Sequence, residues 1–448
     1  MDPCPWCLMN FFIFTTGCKS NQWDSYVMTR NLRHEGHMSS PLEQADLVVV
    51  NACTLTAKAE TDARRFIERA RRLRGHAKIV LAGCHGQVFG ERAFGADLVL
   101  GHNEKFEIAR CLGKTGCVVQ RTRDFSMEPF EIDGAISERT RFFFKIQDGC
   151  DRFCSYCIVP YTRGRARSRP SSVVLEGMAQ LKEKGIQEVV LTGIDVGSYR
   201  DPESGIPFKG LLRLLEEAET PPRIRLSSVD PGCIDEELAR IIAASKKLAR
   251  SIHIPLQSGD DETLRRMRRP YTTEEIRELV RTLIRLVPDI GIGMDVMVGF
   301  PGEDHEAFER THKFLESLDI FYLHVFPYSD REGTRAHGMA DKVPEATKRM
   351  RTRVLKQIDA LKRDAFYRRH IGREATLIPE GKRYKGIYMR GYTDNYIPVY
   401  LPYRKSLENN LITVKIERME GNILVGGLKA CLWSPRSSSN WASWYRIF

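Results

Sequence analysis

The sequence predicts an α/β chain with three folded parts. These are an N-terminal doubly wound parallel-sheet domain, a central partial (β/α)6 barrel and a small C-terminal antiparallel β-barrel. Two observations predict the first two parts: short apolar runs alternate with helical stretches, and Gly, Cys or Ser recur where those runs end. A third predicts the last part: after Gly372 the helical stretches stop and only β-type runs remain. The expected boundaries are residues 9–125, 136–370 and 371–430, with 431–448 left as an unassigned tail.

In the first part the strands are expected at Phe11-Phe12-Ile13-Phe14, Leu47-Val48-Val49-Val50, Lys78-Ile79-Val80-Leu81, Leu98-Val99-Leu100 and Val118-Val119. An Arg- and Ala-rich helix from Ala57 to Leu73 lies between the second and third. In the central part six strand–helix units are expected, on strands 142–146, 188–191, 223–226, 252–256, 293–298 and 322–325. Six units are too few to close an eightfold barrel, so one side is open to a large substrate. A basic helix follows from Pro344 to His370, with Met350, Val354, Ile358 and Leu361 expected on its buried face. The last part has β-type runs at 375–378, 396–401, 411–416 and 423–426. Its ten Lys/Arg and six Asp/Glu alternate with Tyr384, Tyr388, Tyr392, Tyr396, Tyr400 and Tyr403, a composition suited to RNA.

Composition narrows the class. The chain of 448 residues is 42% hydrophobic and 28% charged, with a net charge of +11 that suits a polyanionic partner. No apolar run reaches the length of a membrane span, and a cytoplasmic location is expected. Twelve cysteines in such a chain are then metal ligands or catalytic thiols rather than bridges. Cys4-Pro5-Trp6-Cys7 has redox-type spacing but precedes the first strand instead of opening a helix, and Met9 is the tidier start.

Two sets of three cysteines carry the chemistry. Cys150, Cys154 and Cys157 share one loop after the first central strand, with no fourth Cys or His nearby downstream. Three thiolates without a local fourth suit a 4Fe-4S cluster whose last iron is open to something other than protein. Cys18, Cys53 and Cys84 each follow a strand of the first part, and strand ends of a doubly wound sheet share one edge, so the three converge. Cys111, Cys117, Cys233 and Cys431 lack such placement and read as structural. Arg163, Arg165, Arg167 and Arg169 alternate after the triplet and, in extended chain, face one side toward phosphate or carboxylate. Arg265, Arg266, Arg268 and Arg269 read as a surface patch, and Asp195, His253 and Asp295 as polar groups near strand ends.

C-x3-C-x-Tyr-C after the first strand of a six-unit barrel resembles the radical S-adenosylmethionine superfamily. That resemblance implies a 4Fe-4S cluster on Cys150, Cys154 and Cys157, with S-adenosylmethionine on the open iron as the source of a 5′-deoxyadenosyl radical. It also implies that Tyr156 packs by the adenine, Gly193 contacts the methionine amino group, and the loop from Gly299 to Gly302 holds the adenine. Thr16-Gly17-Cys18-Lys19-Ser20-Asn21-Gln22, Asn51-Ala52-Cys53-Thr54-Leu55-Thr56 and Ala82-Gly83-Cys84 resemble the extra cluster domain of methylthiotransferases. In that family Cys18, Cys53 and Cys84 would hold a second 4Fe-4S cluster, and the last barrel is similar to the TRAM domain. Ser20 and Trp23 depart from the family's usual first stretch.

Asp148 to Arg165 and Asn51 to Thr56 are most similar to the MtaB-type enzymes. The resemblance implies methylthiolation at C2 of N6-threonylcarbamoyladenosine 37 of tRNA, using two clusters and two S-adenosylmethionine per turnover. Arg163, Arg165 and Arg167 are the expected substrate contacts, and an electron donor of unspecified identity is needed. A monomer is favoured. Carbon 2 of adenine offers no handle to an acid or base, which is why a radical cofactor fits. Two rivals stand beside this reading. One is the same chemistry on N6-isopentenyladenosine or on a ribosomal protein side chain. The other is a zinc-stabilised RNA-binding protein without catalysis, which explains the charge but not two sets of three thiols.

Overall fold

A computed structural model describes residues 8–90, 92–120, 125–132 and 140–428. The Cys4–Cys7 pair, Cys431 and the tail from 431 lie outside the described residues.

The N-terminal sheet holds β1 (Asn10–Thr15), β2 (Met38–Ser39), β3 (Leu47–Asn51), β4 (Lys78–Ala82), β5 (Leu98–Leu100) and β6 (Gly116–Val118). Its order is β2-β1-β3-β4-β5-β6, with every pair parallel. Helices α1 (Lys19–His34) and α4 (Ile108–Cys111) cover one face; α2 (Ala57–Leu73) covers the other; α3 (Cys84–Phe89) starts at the strand ends. The apolar runs are continuous because both faces are buried: in β3, Leu47 and Val49 meet Met28 and Leu32, while Val48 and Val50 meet Ala63 and Ile67.

The central part holds β7 (Arg141–Lys145), a short antiparallel pair β8 (Gln147–Asp148) and β9 (Arg167–Ser168), then β10 (Glu188–Thr192), β11 (Arg223–Leu226), β12 (Ser251–Gln257), β13 (Gly291–Val298) and β14 (Tyr322–Pro327). Parallel sheets β11-β10-β7 and β12-β13-β14 meet where Ile224 bridges Leu248, giving a six-stranded partial barrel. Its helices are α5 (Val159–Arg163), α6 (Ser171–Glu183), α7 (Phe208–Glu217), α8 (Glu236–Ala244), α9 (Asp261–Arg266), α10 (Thr273–Leu286), α11 (His305–Ser317) and α12 (Glu345–Arg368). Strand alternation divides the residues. Val189, Leu191, Ile224, Ile252, Ile254, Ile292 and Met294 join the core under the helices. The opposite positions, among them Lys145, Thr192, Arg225, Ser227, His253 and Asp295, face the lumen.

Helix α12 buries Ile358 and partly covers Val354 as expected, but turns the rest of its buried stripe away from Met350 and Leu361. Lys348, Arg351, Leu355, Ile358, Phe366 and Tyr367 are buried, whereas Met350 and Leu361 are exposed and Val354 is partly covered. The buried stripe includes cations because Arg351 reaches Glu303 at 2.6 Å and Lys348 reaches the Tyr328 carbonyl at 3.3 Å. A periodicity built on apolar residues alone does not register such positions.

The last part is a closed five-stranded barrel of β15 (Glu374–Tyr384), β16 (Tyr388–Thr393), β17 (Pro398–Pro402), β18 (Ile412–Glu420) and β19 (Ile423–Leu428), in the order β15-β16-β17-β19-β18. One of its pairs, β17 with β19, is parallel; the other four are antiparallel. The unforeseen strand β16 has polar and aromatic residues alternating with Met389 and Gly391 rather than an apolar run. This barrel seats against the starts of the central strands. Arg225 donates to the Thr393 and Asp394 carbonyls (both 3.0 Å), and Arg223 to the Tyr392 and Thr376 carbonyls (3.1 and 3.0 Å).

Candidate metal centres and the site between them

The first cysteine set lies on the edge where β1, β3 and β4 end. Cys18 caps α1, Cys53 follows β3, and Cys84 opens α3. Two glycines make the approach possible. Gly17 has φ +92° and Gly83 has φ +89°; a Cβ on the first would strike Cys53 and on the second the Asn51 side chain. The Cys53 amide donates to Thr16 Oγ1 at 3.0 Å, and the Leu55 amide points at Cys53 Sγ at 3.4 Å. Burial pushes the Cys18 and Cys53 thiols up, Cys53 to about 12, and neighbouring thiols of the set push the same way. Thiols that resist ionising alone ionise together with a bound cation, so this donor set fits iron. Ser20 Oγ, Asn51 Oδ1 and Thr54 Oγ1 are buried close in sequence to these cysteines, without hydrogen-bond partners among the described residues.

The second set is on the loop after β8. Gly149 (φ +73°) turns the chain where a Cβ would collide with the Arg165 backbone. The Cys150 amide is tied to the Gly164 carbonyl (3.1 Å), the Cys157 amide to the Cys154 carbonyl (3.0 Å), and Ser155 to the Met267 and Arg266 carbonyls (3.1 and 2.8 Å). Burial raises the Cys150 thiol to about 11 and raises Cys157 further, with Cys154 adding to both. Two arginines serve these sulfurs. Arg269 Nη1 lies 3.3 Å from Cys154 Sγ and its other nitrogens hold Asp230 and Tyr271. Arg152 spans Asp195 (2.7 Å), Asp230 (3.0 Å) and Cys233 Sγ (3.2 Å). Arg269 is thus buried at the site rather than part of a surface patch; its neighbours Arg265 and Arg268 are exposed. Of the cysteines read as structural, Cys111 is buried, Cys233 meets Arg152, and Cys117 is exposed.

Tyr156 packs in one cluster with Phe300, Met297, Met267 and Tyr328, so the aromatic of the cysteine loop and the loop from Gly299 to Gly302 are neighbours. A Cβ on Gly299 (φ +75°) would meet Lys348, and one on Gly302 (φ +78°) would meet the Arg266 guanidinium. Gly193 follows β10 with its Cα against Gln147, whose Oε1 accepts from Ile194 and Asp195 amides at 3.0 and 2.8 Å. Thr192 Oγ1, Asp195 Oδ1, Ser227 Oγ and Gln257 Oε1 are buried at the ends of three successive strands, without hydrogen-bond partners among the described residues. Unpaired polar atoms at a barrel's C-terminal rim are what a bound polar ligand satisfies.

The arginine run does not face outward as one row. Gly164 (φ +72°) breaks the chain after α5, and Arg163 turns inward, 1% exposed, onto Asp148, Asp24 and Asn21. Arg167 follows to Asp148 (3.2 Å), and Arg169 to Glu128 (2.8 Å). Arg165 is exposed, 3.4 Å from Asp151. Alternation holds for the other three, but the side they share faces buried carboxylates.

That buried network escaped sequence reading. Lys145 bridges Asp24 (2.8 Å), Asp148 (3.1 Å) and Glu128 (2.9 Å), and Lys105 meets Asp24 at 2.8 Å. Burial acts to raise the Asp24 and Asp148 carboxyls, but the surrounding cations hold both well below the usual range. The signal was a polar stripe at helical spacing, Asn21 and Asp24, on an otherwise apolar side of α1. Trp23, the departure noted above, is buried here: its indole donates to Glu128 and its ring lies 5.4 Å from Phe144 and 6.0 Å from Phe142.

In the lumen, Asp295 accepts from His324 (2.8 Å) and lies 3.1 Å from His253, which meets Tyr322 at 2.9 Å. Against the upward push of burial, both histidines hold Asp295 below the usual carboxylate range. Lys19, beside Cys18, is half-buried, feels the charges of Arg225, Arg141 and Asp295, and forms no hydrogen bond or ion pair among the described residues.

Comparison with known proteins locates a Radical SAM superfamily model on residues 144–315 and a model described as Uncharacterized protein family UPF0004 on residues 10–101. A threonylcarbamoyladenosine tRNA methylthiotransferase, MtaB, of Aquifex aeolicus is 35% identical over 398 residues, covering 86% of this chain and 95% of that one. A tRNA-2-methylthio-N(6)-dimethylallyladenosine synthase of Geobacter metallireducens is also 35% identical, over 93% of this chain and 98% of its own. Among solved structures, the radical S-adenosylmethionine methyltransferase TsrM of Kitasatospora setae aligns with TM-score 0.54 at 19% identity, over 71% of this chain and 72% of its own, a likeness of fold. No helix among the described residues is long and apolar enough to cross a membrane.

Proposed function

Since this chain belongs to the radical S-adenosylmethionine tRNA methylthiotransferases, we propose that it adds a methylthio group to C2 of N6-threonylcarbamoyladenosine 37 of tRNA. Two 4Fe-4S clusters are used, on Cys150, Cys154 and Cys157 and on Cys18, Cys53 and Cys84, with one S-adenosylmethionine for the radical and one for the methyl group. The observation that carries the reading is the two cysteine sets: one lies on the loop that leads into α5, and the other supplies Cys84, which the last residue of α5 touches. When bound, the clusters and S-adenosylmethionine supply a carbon radical for an unreactive C–H bond and the sulfur that replaces the hydrogen.

The chain's own residues do the rest. Gly193 lets the end of β10 close on Gln147, and Gly299 and Gly302 let their loop close on Lys348 and Arg266, which sets that loop beside Tyr156 at the strand ends. Arg152 and Arg269, paired through Asp230, hold the cysteine loop. A cation at the lumen, Lys19, suits the carboxylate of a threonylcarbamoyl group better than an apolar isopentenyl chain. Arg165 and the exposed Lys382, which lies over the Tyr384 ring of the last barrel, are available to tRNA phosphate and bases.

Two measurements test this. Anaerobic reconstitution is expected to give about eight irons with matching sulfide, four per cluster; zinc without sulfide would end the reading. Nucleoside mass spectrometry of a deletion strain is expected to lose 2-methylthio-threonylcarbamoyladenosine. Loss of the isopentenyl counterpart instead would move the substrate to that of the Geobacter relative.

A further inference from the structure

Arg163 touches both halves of the candidate site. It ends α5, the short helix that leaves the Cys150–Cys157 loop, and α5 packs against α3, which opens with Cys84. Its side chain is 1% exposed. A guanidinium has five N–H donors, and each has an acceptor here. Nε faces Cys84 Sγ at 3.3 Å. Nη1 takes both Asp148 oxygens, at 3.0 and 3.1 Å. Nη2 takes Asp24 at 2.8 Å and the Asn21 carbonyl oxygen.

Among the described residues the surrounding charge does not balance. Asp24, Asp148 and Glu128 face Lys105, Lys145, Arg163, Arg167 and Arg169, five cations to three carboxylates. A buried surplus of positive charge needs an anion. The one Arg163 reaches, beyond the carboxylates, is the sulfur of Cys84.

We propose that Arg163 is a positioning residue of the second cluster: it donates to the Cys84 thiolate and, through Asp148 and Asp24, locks that thiolate to the loop holding the first cluster. A donor on a cluster sulfur with a nearby positive charge stabilises the reduced form, so Arg163 raises that cluster's reduction potential. The proposal rests on the reading that Cys18, Cys53 and Cys84 hold a cluster.

The test uses the full-length chain reconstituted with iron and sulfide. Cys150→Ala, Cys154→Ala and Cys157→Ala together leave only the second cluster, whose potential is read by titration with electron paramagnetic resonance. Arg163→Met in this background is expected to lower the potential, and Arg163→Lys, which keeps charge but not the five-donor fork, to lower it less. Selective loss of the second cluster in Arg163→Met, with the first retained when Cys150, Cys154 and Cys157 are present, also supports the role. An unchanged potential in Arg163→Met, or equal loss of both clusters, overturns it. If Arg163→Met does not fold, Arg163→Lys decides, and a wild-type potential there overturns the proposal. Absence of a second cluster in the unsubstituted chain is a different failure, that of the function reading itself.

Discussion

At the scale of single residues, the positions that matter are defined by what they are paired with. Lys19 and Arg163 are both cations next to cysteines of the first set, yet Arg163 has every donor satisfied and Lys19 has no partner among the described residues. On the proposed function, such a cation at the lumen would bind an anionic substrate. Lys19→Met is expected to reduce kcat/KM on a threonylcarbamoyladenosine-containing stem-loop about tenfold or more, the value of one charge-assisted hydrogen bond. S-adenosylmethionine affinity should stay as it was; an unaltered kcat/KM would remove Lys19 from substrate recognition. His102 tests the buried network. Burial, then Lys105, holds its pKa well below the ordinary value, while its Nδ1 faces Lys105 at 3.2 Å and its Nε2 lies 3.4 Å from Asp148. The unfolded chain therefore binds a proton at this position that the native one refuses. Stability from His102 is complete above the unfolded pKa of about 6.5 and declines as pH falls toward the lower folded value, by up to ~1.4 kcal/mol per pH unit. Denaturant titrations at pH 7, 6 and 5 should show a shallower decline for His102→Gln than for the unsubstituted chain; identical slopes would mean the histidine is protonated in place.

At the scale of elements, the glycines and α12 show how the backbone and the buried stripe are chosen. Gly149 sits where only a residue without Cβ fits, at φ +73° and against the Arg165 carbonyl, so the cysteine loop depends on it. Gly149→Ala is expected to cost the Cys150–Cys157 site its iron while the other site keeps its own, read from spectra of the two single-cluster backgrounds. For α12, apolar periodicity points at Met350 and Leu361 as well as Ile358, but the helix turns only Ile358 of these three inward, with Leu355 and Arg351. Ile358→Ala should destabilise by about 2–4 kcal/mol, and Leu361→Ala by no more than about 0.5 kcal/mol. Thermal denaturation of the two variants compares them directly, and equal losses would contradict the buried face described here.

At the scale of the whole molecule, two charged seams join the parts. One, around Asp148 and Asp24, ties the N-terminal sheet to the central barrel. The other centres on Glu188, 1% exposed, which meets Arg225 at 3.1 Å and lies 3.7 Å from both Arg223 and Arg141. Those arginines hold carbonyls of the last barrel, and Arg141 also meets Glu380 at 2.5 Å and lies over the Tyr392 ring at 4.5 Å. Tyr392 and Tyr396 are therefore engaged at this seam, while Tyr384 and Tyr400 pair with each other elsewhere on the barrel. Glu188→Gln leaves Arg223 and Arg225 facing each other without their shared carboxylate, while Arg141 keeps Glu380. It is expected to cost about 3–5 kcal/mol and to free the last barrel, with limited proteolysis between α12 and β15 as the readout. Wild-type resistance would show that the seam holds without that carboxylate.

Most strand positions, the barrel of six units and both cysteine sets were legible in the sequence because each depends on local rhythm: apolar runs of strand length, and Cys or Gly directly after them. Which side a polar residue faces was not legible. Arg163, Arg167 and Arg169 alternate as the chain suggests, yet the break at Gly164 and the carboxylates of α1 and β8 turn that side inward. Arg269 reads as one cation of a surface run and stands on Cys154 instead. Arg163 reaches Asp24 139 residues away, Arg169 reaches Glu128 41 away and Arg269 reaches Cys154 115 away. Charge pairing acts through space and leaves no period along the sequence, so only the packed structure decided where these cations point.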